Sequence, residues 1–321
     1  MITTVTLNPA VDKVYYIDHF AVDKINRVAD VSAVPGGKGI NVAKVARVLG
    51  AEVTASGFLG GANGRFIEKM LEVEGIHNDF VWIAGDTRET ITVIDRIEQT
   101  QTELLEPGPM ITQQEVKVFI EKLTALSQRS KVVSFSGSLP RGLPVDMYAQ
   151  LVQIAQQSGA LTVLDSSGES LSKGLKGRPF LCKPNLDELE QWLGYRLDGE
   201  HEIVLAAQNI VREGVQVVVV SMGKKGAIAV TEHGVWKIEA PSVQSVNTVG
   251  CGDAMVGGIV TYLDRLDSVP SEDDLIEAFI LGTAAGASNA INRTAGQVKP
   301  EEVDHLKSSV KVKNMNVSRF I

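Results

Sequence analysis

The segment Asn247-Thr-Val-Gly-Cys-Gly-Asp253 joins a glycine-rich loop to a carboxylate at the start of a predicted helix. Apolar residues follow at helical spacing, at Met255, Val256, Ile259, Val260 and Leu263. Free backbone N–H groups and the positive end of a helix dipole favour an anion at such a place. A carboxylate there can accept a proton from a hydroxyl that attacks a phosphate. The segment therefore predicts phosphoryl chemistry, while an N-capping Asp253 beside a simple glycine turn is the structural alternative.

A second glycine loop, Pro35-Gly-Gly-Lys-Gly-Ile-Asn41, also opens a predicted helix. Lys38 offers a cation and Asn41 a hydrogen-bond donor and acceptor, which suits a phosphorylated polyol. No Ser or Thr follows the lysine as a Walker A loop requires, and neither glycine loop completes the dinucleotide fingerprint, because Val42 and Met255 occupy the last glycine positions. A tight turn with a solvated lysine is the alternative.

Three further segments carry polar groups next to predicted strands. Asp12, in Asn8-Pro-Ala-Val-Asp, follows the first strand, where open α/β sheets bind their ligands. Asn185 and Glu188 have the spacing of a capping box, and the same pair could hold Mg²⁺ through water. A third glycine loop covers 221–226. Each segment also has a purely structural interpretation, as a turn, a cap and a loop respectively.

Composition limits the possible functions of these 321 residues. The 31 basic and 39 acidic residues give a net charge of −8, which argues against non-specific nucleic-acid binding. A hydrophobic content of 44% is typical of a globular protein. The N-terminus lacks the pattern of a signal peptide, no apolar run is long enough to span a bilayer, and the only cysteines are Cys182 and Cys251. We therefore expect a cytoplasmic protein without a membrane or nucleic-acid partner.

Apolar strand-like runs alternate with amphipathic helical segments along most of the chain. Predicted strands begin near Val5 and cover 53–59, 131–136, 161–165, 181–183 and 217–221, and predicted helices include 39–49 and 65–73. This alternation predicts a doubly wound, mostly parallel α/β sheet flanked by helices. The segments at about 12–34 and 88–106 instead read as extended strands. We expect them to form a small β-sheet lid inserted into a single domain, 1–321.

Eight segments, in this order, resemble the phosphofructokinase B group of ribokinase-like sugar kinases. They are NPAVD, PGGKGIN, DTRET, SGSLPRGLP, LDSSGE, KPNLDEL, SMGKKGA and NTVGCGDAMVGG. The resemblance covers nearly the whole chain, and TVGCGD is its most specific part. The opening TLNPAVD, with SGSLP and KPN, is similar to the branch that acts on phosphorylated ketohexoses. The resemblance implies a ribokinase-like fold and ATP- and Mg²⁺-dependent phosphorylation of a ketohexose monophosphate. Fructose 1-phosphate is the first expected substrate because of PGGKGINVAKV, and tagatose 6-phosphate the second.

The same resemblance implies roles for individual residues. Asp253 would be the catalytic base, beside an anion hole from Gly250, Cys251 and Gly252. The implied sugar-phosphate ligands are Asp12, Arg27, Gly36, Gly37, Lys38, Asn41, Arg88, Ser136 and Gly137. The implied ATP ligands are Lys183, Asn185, Ser221, Met222, Gly223, Gly226 and Asn289. Glu188 and Asn185 would serve Mg²⁺, and Asn247 and Val249 match a monovalent-cation (K⁺) site of some members.

Cys251 departs from the family pattern, since many members have Ala or Ser there. A thiol near a helix N-terminus can have a lowered pKa, so we expect Cys251 to be sensitive to alkylation. Apolar residues 14–17 of the lid predict that a second copy covers it, as a homodimer. A non-catalytic sugar-phosphate sensor and, less well supported, a nicotinamide oxidoreductase are the alternatives from other classes.

Overall fold

The computed structural model describes residues 1–315, which form fifteen strands and ten α-helices. The strands are Ile2–Thr6 (β1), Ala10–Ile17 (β2), Asp30–Gly36 (β3), Val53–Leu59 (β4), His77–Asn78 (β5), Val81–Trp82 (β6), Arg88–Asp95 (β7), Thr100–Leu105 (β8), Val132–Ser136 (β9), Leu161–Asp165 (β10), Leu181–Cys182 (β11), Val217–Ser221 (β12), Ala227–Thr231 (β13), Val235–Glu239 (β14) and Lys311–Asn314 (β15). The helices are Lys38–Val48 (α1), Gly61–Val73 (α2), Gln113–Ser127 (α3), Met147–Gln157 (α4), Gly168–Gly174 (α5), Leu186–Leu193 (α6), Glu200–Arg212 (α7), Cys251–Arg265 (α8), Glu272–Ile291 (α9) and Pro300–Lys307 (α10).

The larger sheet has eleven strands in the order β15-β14-β13-β12-β11-β10-β9-β1-β4-β5, with β6 also paired to β4. Pairing is parallel from β5 to β12 and antiparallel from β12 to β15. The predicted mostly parallel α/β sheet is therefore confirmed. The antiparallel edge was not predicted, because the turns that join its short strands leave no helical segment to mark them.

Both faces of this sheet are buried, which explains its uninterrupted apolar strands. In β12, Val218 and Val220 pack in one core with residues of α3, α4 and α7. Val217 and Val219 face the opposite core, which α1, α2, α8 and α9 complete. The helices thus fix the strand ends, which makes the carboxyl edge of the sheet a firm platform for polar groups. Within the described residues, no helix combines the length and apolar character that crossing a membrane requires.

A separate four-stranded sheet, in the order β3-β2-β7-β8, contains both predicted lid segments. Its two hairpins are antiparallel, and the central pair β2–β7 is parallel. Every residue of β8 is exposed, as are the first four residues of β3. We refer to this sheet as the lid sheet.

One predicted helix boundary needs correction, and the burial of lid residues 14–17 can now be stated. Helix α2 begins at Gly61, four residues before its predicted start, because its first turn, Gly-Ala-Asn-Gly, has no apolar periodicity. In the lid sheet, Val14, Tyr15 and Tyr16 are half-buried and Ile17 is buried, because β2 is an inner strand. The large apolar side chains that remain exposed lie on the outer strands instead, at Val31, Leu104 and Leu105.

Candidate functional site

Asp253 is buried at the start of α8, behind the glycine loop. The helix begins after Gly250, whose φ of 80° belongs to the left-handed region that favours glycine. Asp253 is the third helical residue, so the structural alternative of an N-capping aspartate does not apply. Asn41 Nδ2, from α1, donates a 2.8 Å hydrogen bond to Asp253 Oδ2. The two glycine loops therefore meet at this carboxylate.

Four charged side chains lie near Asp253 and form a mostly buried ion cluster. Lys38 Nζ donates to Asp165 Oδ1 at 2.9 Å and to Glu188 Oε1 at 3.2 Å. Lys183 Nζ lies 3.3 Å from the second oxygen of Asp165, and both side chains are almost fully buried. The lysines hold the pKa of Asp165 below its usual range against the effect of burial. We refer to Lys38, Asp165, Lys183 and Glu188 as the phosphoryl cluster.

The pKa of Asp253 is raised to about 6. Burial is the main cause, and the negative charge of Asp165 adds to it, while Lys38, Asn41 and Lys183 act in the opposite direction. A carboxylate with this pKa is a stronger base than an ordinary aspartate and is still ionised at neutral pH. Such tuning is typical of a general base.

Lys38 was predicted to bind the phosphate that the sugar substrate already carries, but the structure places its ammonium group between Asp165 and Glu188. Burial alone would lower its pKa, but the carboxylates of Asp165, Glu188 and Asp253 outweigh burial and raise it. Its ammonium is therefore a permanent cation on the side of the site where Asp253 lies. This position suits a phosphoryl group in transfer.

Asn289 was predicted to face ATP, and the structure corrects this because its side chain is fully buried. Its Nδ2 donates to Val249 O at 2.9 Å, and its Oδ1 accepts from Gly296 N at 2.8 Å. Asn247 Nδ2 donates to Arg293 O at 2.9 Å, and Asn247 Oδ1 accepts from Val249 N at 2.9 Å. Asn289, Asn247 and Val249 thus connect the glycine loop to the segment after α9, and their part in a K⁺ site stays a prediction.

Cys251 does not have the predicted low-pKa thiol. Burial raises its pKa, and nearby Asp253 acts in the same direction, although Asn289 donates a weak hydrogen bond to the sulfur. Its backbone N–H points to Thr248 O at 3.4 Å, so the predicted anion hole would use mainly the N–H groups of Gly252 and Asp253 in the first helical turn. The expected sensitivity to alkylation therefore loses its physical basis.

Asn185 and Glu188 form the predicted capping box at the start of α6. Asn185 Oδ1 accepts from Glu188 N at 2.7 Å, and Glu188 Oε2 accepts from Asn185 N at 2.9 Å. The other Glu188 oxygen remains for Lys38. Among the described residues, no three His, Cys, Asp or Glu side chains converge as a metal site. The carboxylates of Asp165 and Glu188, joined through Lys38, nevertheless provide oxygen ligands of the kind that Mg²⁺ prefers.

Several predicted nucleotide ligands surround a cavity of about 450 Å³ beside α6 and α7. Its lining includes Asn185, Ser221, Met222 and Gly223, at the carboxyl ends of β11 and β12. Gly226 instead serves the turn into β13, since a Cβ there would lie 1.9 Å from Ile238 O. Lys183 faces the glycine loop, because a Cβ on Gly252 would lie 3.2 Å from its Nζ.

Asp12 lies on β2 at the base of the lid sheet, against the second glycine loop. Thr90 Oγ1 donates to Asp12 Oδ1 at 2.6 Å. Gly36 passes so close that a Cβ there would lie 2.0 Å from the Asp12 carboxylate, and Gly37 adopts a φ of 109° before α1 begins. Burial raises the pKa of Asp12, while Thr90, Lys44 and Arg88 act against this rise. The arrangement suits a carboxylate that accepts hydrogen bonds from sugar hydroxyls.

The two predicted lid arginines have different surroundings. Arg88 lies beside Asp12 and donates from Nε and Nη2 to Asn8 O and from Nη1 to Glu106 O. Arg27 is exposed in the loop between β2 and β3, and no hydrogen bond or ion pair within residues 1–315 joins it to the other predicted ligands. Only Arg88 is therefore brought to the site.

Ser136 is the last residue of β9, and Gly137 directly follows it. The Ser136 hydroxyl is buried against Ser134, which corrects the prediction that it lines the site. Gly137 has a φ of 99°, and a Cβ there would lie 3.9 Å from Lys38 Cβ, so its backbone is close to the phosphoryl cluster. Ser138, the next hydroxyl, accepts a hydrogen bond from Asn8 Nδ2.

Asp165 is the main site residue to which the sequence assigned no role. The sequence did contain a signal, because Asp165 is the last residue of the apolar strand LTVLD and Lys183 directly follows the neighbouring strand β11 at the same sheet edge. Lys44 was also missed. It is a buried lysine of α1 that donates to Pro35 O at 2.7 Å, and it looked like one more solvated helix residue.

Comparisons with known proteins agree with this arrangement. The family model described as pfkB family carbohydrate kinase matches residues 5–301. A tagatose-6-phosphate kinase of Staphylococcus epidermidis is 38% identical over 315 residues, covering 97% of this chain and 99% of the relative. The solved phosphofructokinase-2 of Escherichia coli, in complex with potassium, is 30% identical with a TM-score of 0.88, covering 96% of this chain and 98% of the other.

A solved structure described as a possible 1-phosphofructokinase of Thermotoga maritima is 29% identical with a TM-score of 0.86, covering 98% of this chain and all of the other. These matches confirm the predicted fold and the predicted class of enzyme. The chain therefore belongs to the pfkB family of carbohydrate kinases.

Proposed function

We propose that this enzyme transfers the γ-phosphoryl group of ATP to a primary hydroxyl of a ketohexose monophosphate and forms a bisphosphate. The observation that carries the proposal is the buried Asp253, which Asn41 holds at the start of α8 beside the lysines of the phosphoryl cluster. A base, cations and free helix N–H groups thus converge on one point, as in-line phosphoryl transfer requires.

Each half of the site has its own task in this proposal. Asp12 and Asn41 hold sugar hydroxyls, and Arg88 binds the phosphate that the sugar already carries. Asp253 accepts the proton of the attacking hydroxyl. Lys38 and the N–H groups of Gly252 and Asp253 stabilise negative charge on the phosphoryl oxygens. The new bond forms between the sugar oxygen and the γ-phosphorus, and the bond from that phosphorus to the β–γ bridging oxygen breaks.

ATP would lie along the carboxyl ends of β11 and β12, where the cavity that Asn185, Ser221 and Gly223 line supports this position. Mg²⁺, when bound, neutralises charge on the nucleotide phosphates. Glu188 and Asn185 are the residues that would hold it through water, because their side chains lie together at the start of α6 and Glu188 contacts Lys38. A K⁺ site at Asn247 and Val249 is a further part of the proposal, supported by the relative solved with potassium.

Two substrates fit the proposal. The segment PGGKGINVAKV favours fructose 1-phosphate, whereas the 38% identical relative favours tagatose 6-phosphate. Both molecules have a phosphate at one end and a primary hydroxyl at the other, so one arrangement of Arg88 and Asp253 serves either.

The decisive experiment is ADP release measured with fructose 1-phosphate, tagatose 6-phosphate, fructose 6-phosphate and unphosphorylated fructose and tagatose. We expect the highest kcat/KM with one of the first two and little turnover of unphosphorylated sugars. Tight binding of a sugar phosphate without any ADP release would instead identify a sensor. Highest turnover with an unphosphorylated sugar would contradict the proposed substrate class.

We further propose a single kinase domain whose lid sheet pairs with that of a second copy. Tyr16 and Leu105 lie on the lid face that carries Asp12, and Leu105 is 66% exposed. Apolar side chains that are exposed beside a substrate site, as Leu105 is, are best covered by an identical face, which a two-fold axis provides. Light scattering should give a dimer, and Leu105→Glu should dissociate it; a wild-type monomer at all concentrations would contradict the pairing.

A further inference from the structure

A cavity of about 520 Å³ lies at the base of the lid sheet, on the Asp12 side of the site. Arg88 and Arg141 line it together with Gly85, Asp86 and the segment 106–110. Arg141 follows β9 in SGSLPRGLP and has no task in the mechanism above. The cavity therefore contains one guanidinium group that the proposed function uses and one that it does not.

Backbone carbonyls orient both guanidinium groups. Arg88 Nη1 donates to Glu106 O at 2.9 Å, and Arg141 Nε donates to Gly108 O at 3.0 Å. The Arg141 backbone is fixed as well, since its carbonyl accepts from Ile111 N at 2.9 Å. A guanidinium group has five N–H donors; Arg88 uses three of them on Asn8 O and Glu106 O and Arg141 uses one, which leaves two and four for a ligand in the cavity.

The two carboxylates of the cavity are directed elsewhere. Glu106 Oε2 accepts from Glu89 N at 2.8 Å. The carboxylate of Asp86 lies against Gly61, the first residue of α2, where a Cβ would come within 1.7 Å of its Oδ1. In the described part of the chain, neither arginine forms an ion pair with a carboxylate. The remaining N–H donors of both arginines are therefore available to an anion, although the carboxylates of Asp12 and Glu106 also act on the charge of Arg88.

The cavity also connects to the sugar site through Asn8. Asn8 O accepts from Arg88 Nε and Nη2, and Asn8 Nδ2 donates to Ser138 Oγ at 3.2 Å. Ser138 precedes Arg141 by three residues, and Arg88 lies beside Asp12. An anion between the two arginines would therefore lie on the Asp12 side of the site, whereas Lys38 is bound by Asp165 and Glu188.

We propose that Arg141 is a second phosphate-binding arginine, which with Arg88 binds the phosphate monoester that the sugar carries and so selects phosphorylated substrates. This inference rests on the proposed function and names the specificity group of the same site. Two guanidinium groups can hold three phosphate oxygens through charge-assisted, bidentate hydrogen bonds, which one arginine cannot do.

The test compares Arg141→Gln with wild type and with Arg129→Gln, a control at an exposed arginine that follows α3. Calorimetry should show that Arg141→Gln weakens binding of the preferred sugar phosphate about tenfold to a hundredfold, while ATP affinity stays unchanged. The inhibition constant of inorganic phosphate, measured against the sugar phosphate, should rise in parallel. The Arg129→Gln enzyme should match wild type in all three measurements.

A purely structural role of Arg141, as the anchor of Gly108, predicts a different pattern. It would weaken the binding of unphosphorylated ketohexose as much as that of the sugar phosphate, and Arg141→Lys, which keeps the charge, would not restore phosphate inhibition. That pattern, or wild-type affinity in Arg141→Gln, would overturn the inference. If wild type itself binds no ketohexose monophosphate, the proposed function fails, whereas loss of inorganic-phosphate binding in Arg141→Gln would still support the anion site.

Discussion

Two groups of charged side chains differ in how the fold positions them: the phosphoryl cluster beside Asp253, and the side chains around Asp12 at the base of the lid sheet. Around Asp253, the charged side chains come from the ends of β10 and β11 and from α1, and Asp165 and Lys183 are almost fully buried. Around Asp12, the half-buried Asp12 and Arg88 come from β2 and β7 of the lid sheet, and the buried Lys44 comes from α1. Side chains fixed by a packed sheet suit chemistry, and side chains on a thin, partly exposed sheet suit the entry and selection of a substrate.

The largest expected effect concerns the base. Asp253→Asn keeps the shape of the side chain but removes its ability to accept a proton, so kcat should fall by about 10²–10⁴. Steady-state ADP release measures this, with Asp304→Asn as a control at an exposed helical aspartate. Near-normal turnover in Asp253→Asn would refute the assignment of the base.

The next effect concerns the stability of the phosphoryl cluster. Asp165→Asn leaves the buried Lys183 and the partly buried Lys38 without their shared carboxylate, so the free energy of unfolding should fall by about 3–5 kcal/mol. Urea unfolding at pH 7 measures this loss. The pKa of Asp165 is lower in the folded state than in the unfolded state. The ionised carboxylate therefore adds to the free energy of unfolding at neutral pH, and this stabilisation is lost as the pH falls through the folded-state pKa. A change below about 1 kcal/mol would show that the cluster does not stabilise the fold.

The pKa of Asp253 predicts how turnover depends on pH. Because the base must be ionised and its pKa is about 6 in the enzyme without substrate, kcat/KM should rise with pH and level off above that value. One pH unit below it, the rate should be about tenfold lower. A profile that stays flat down to pH 5 would contradict the raised pKa.

The smallest expected effect is on the lid side. Lys44 donates to Pro35 O and helps to keep Asp12 ionised, so Lys44→Met should raise the KM for the sugar phosphate about threefold to tenfold. The increase should be larger at low pH, because Asp12 then becomes protonated more readily, and the KM for ATP should not change. An equal change in both KM values would indicate a general loss of structure instead.

Much of this comparison could be predicted from the sequence. The apolar runs locate the parallel strands, and the glycine loops locate Asp253, Asn41 and Lys38. The sequence could not show that Asp165 retains Lys38, because the two residues are 127 positions apart and their pairing depends on the order of the strands. Asn289 was misassigned for a similar reason, since only the packing of α9 against the glycine loop reveals that its amide is already in use.

The division between chemistry and selection can be tested directly by calorimetry with the preferred sugar phosphate on Asp253→Asn and Arg88→Gln enzymes. We predict that Asp253→Asn binds within about threefold of wild type although its turnover is lost, because the lost interaction acts mainly in the transition state. Arg88→Gln should bind about tenfold to a hundredfold more weakly. Wild-type affinity in Arg88→Gln, or an equal loss of affinity in both variants, would contradict the account in which Asp253 serves the chemical step and Arg88 serves substrate binding.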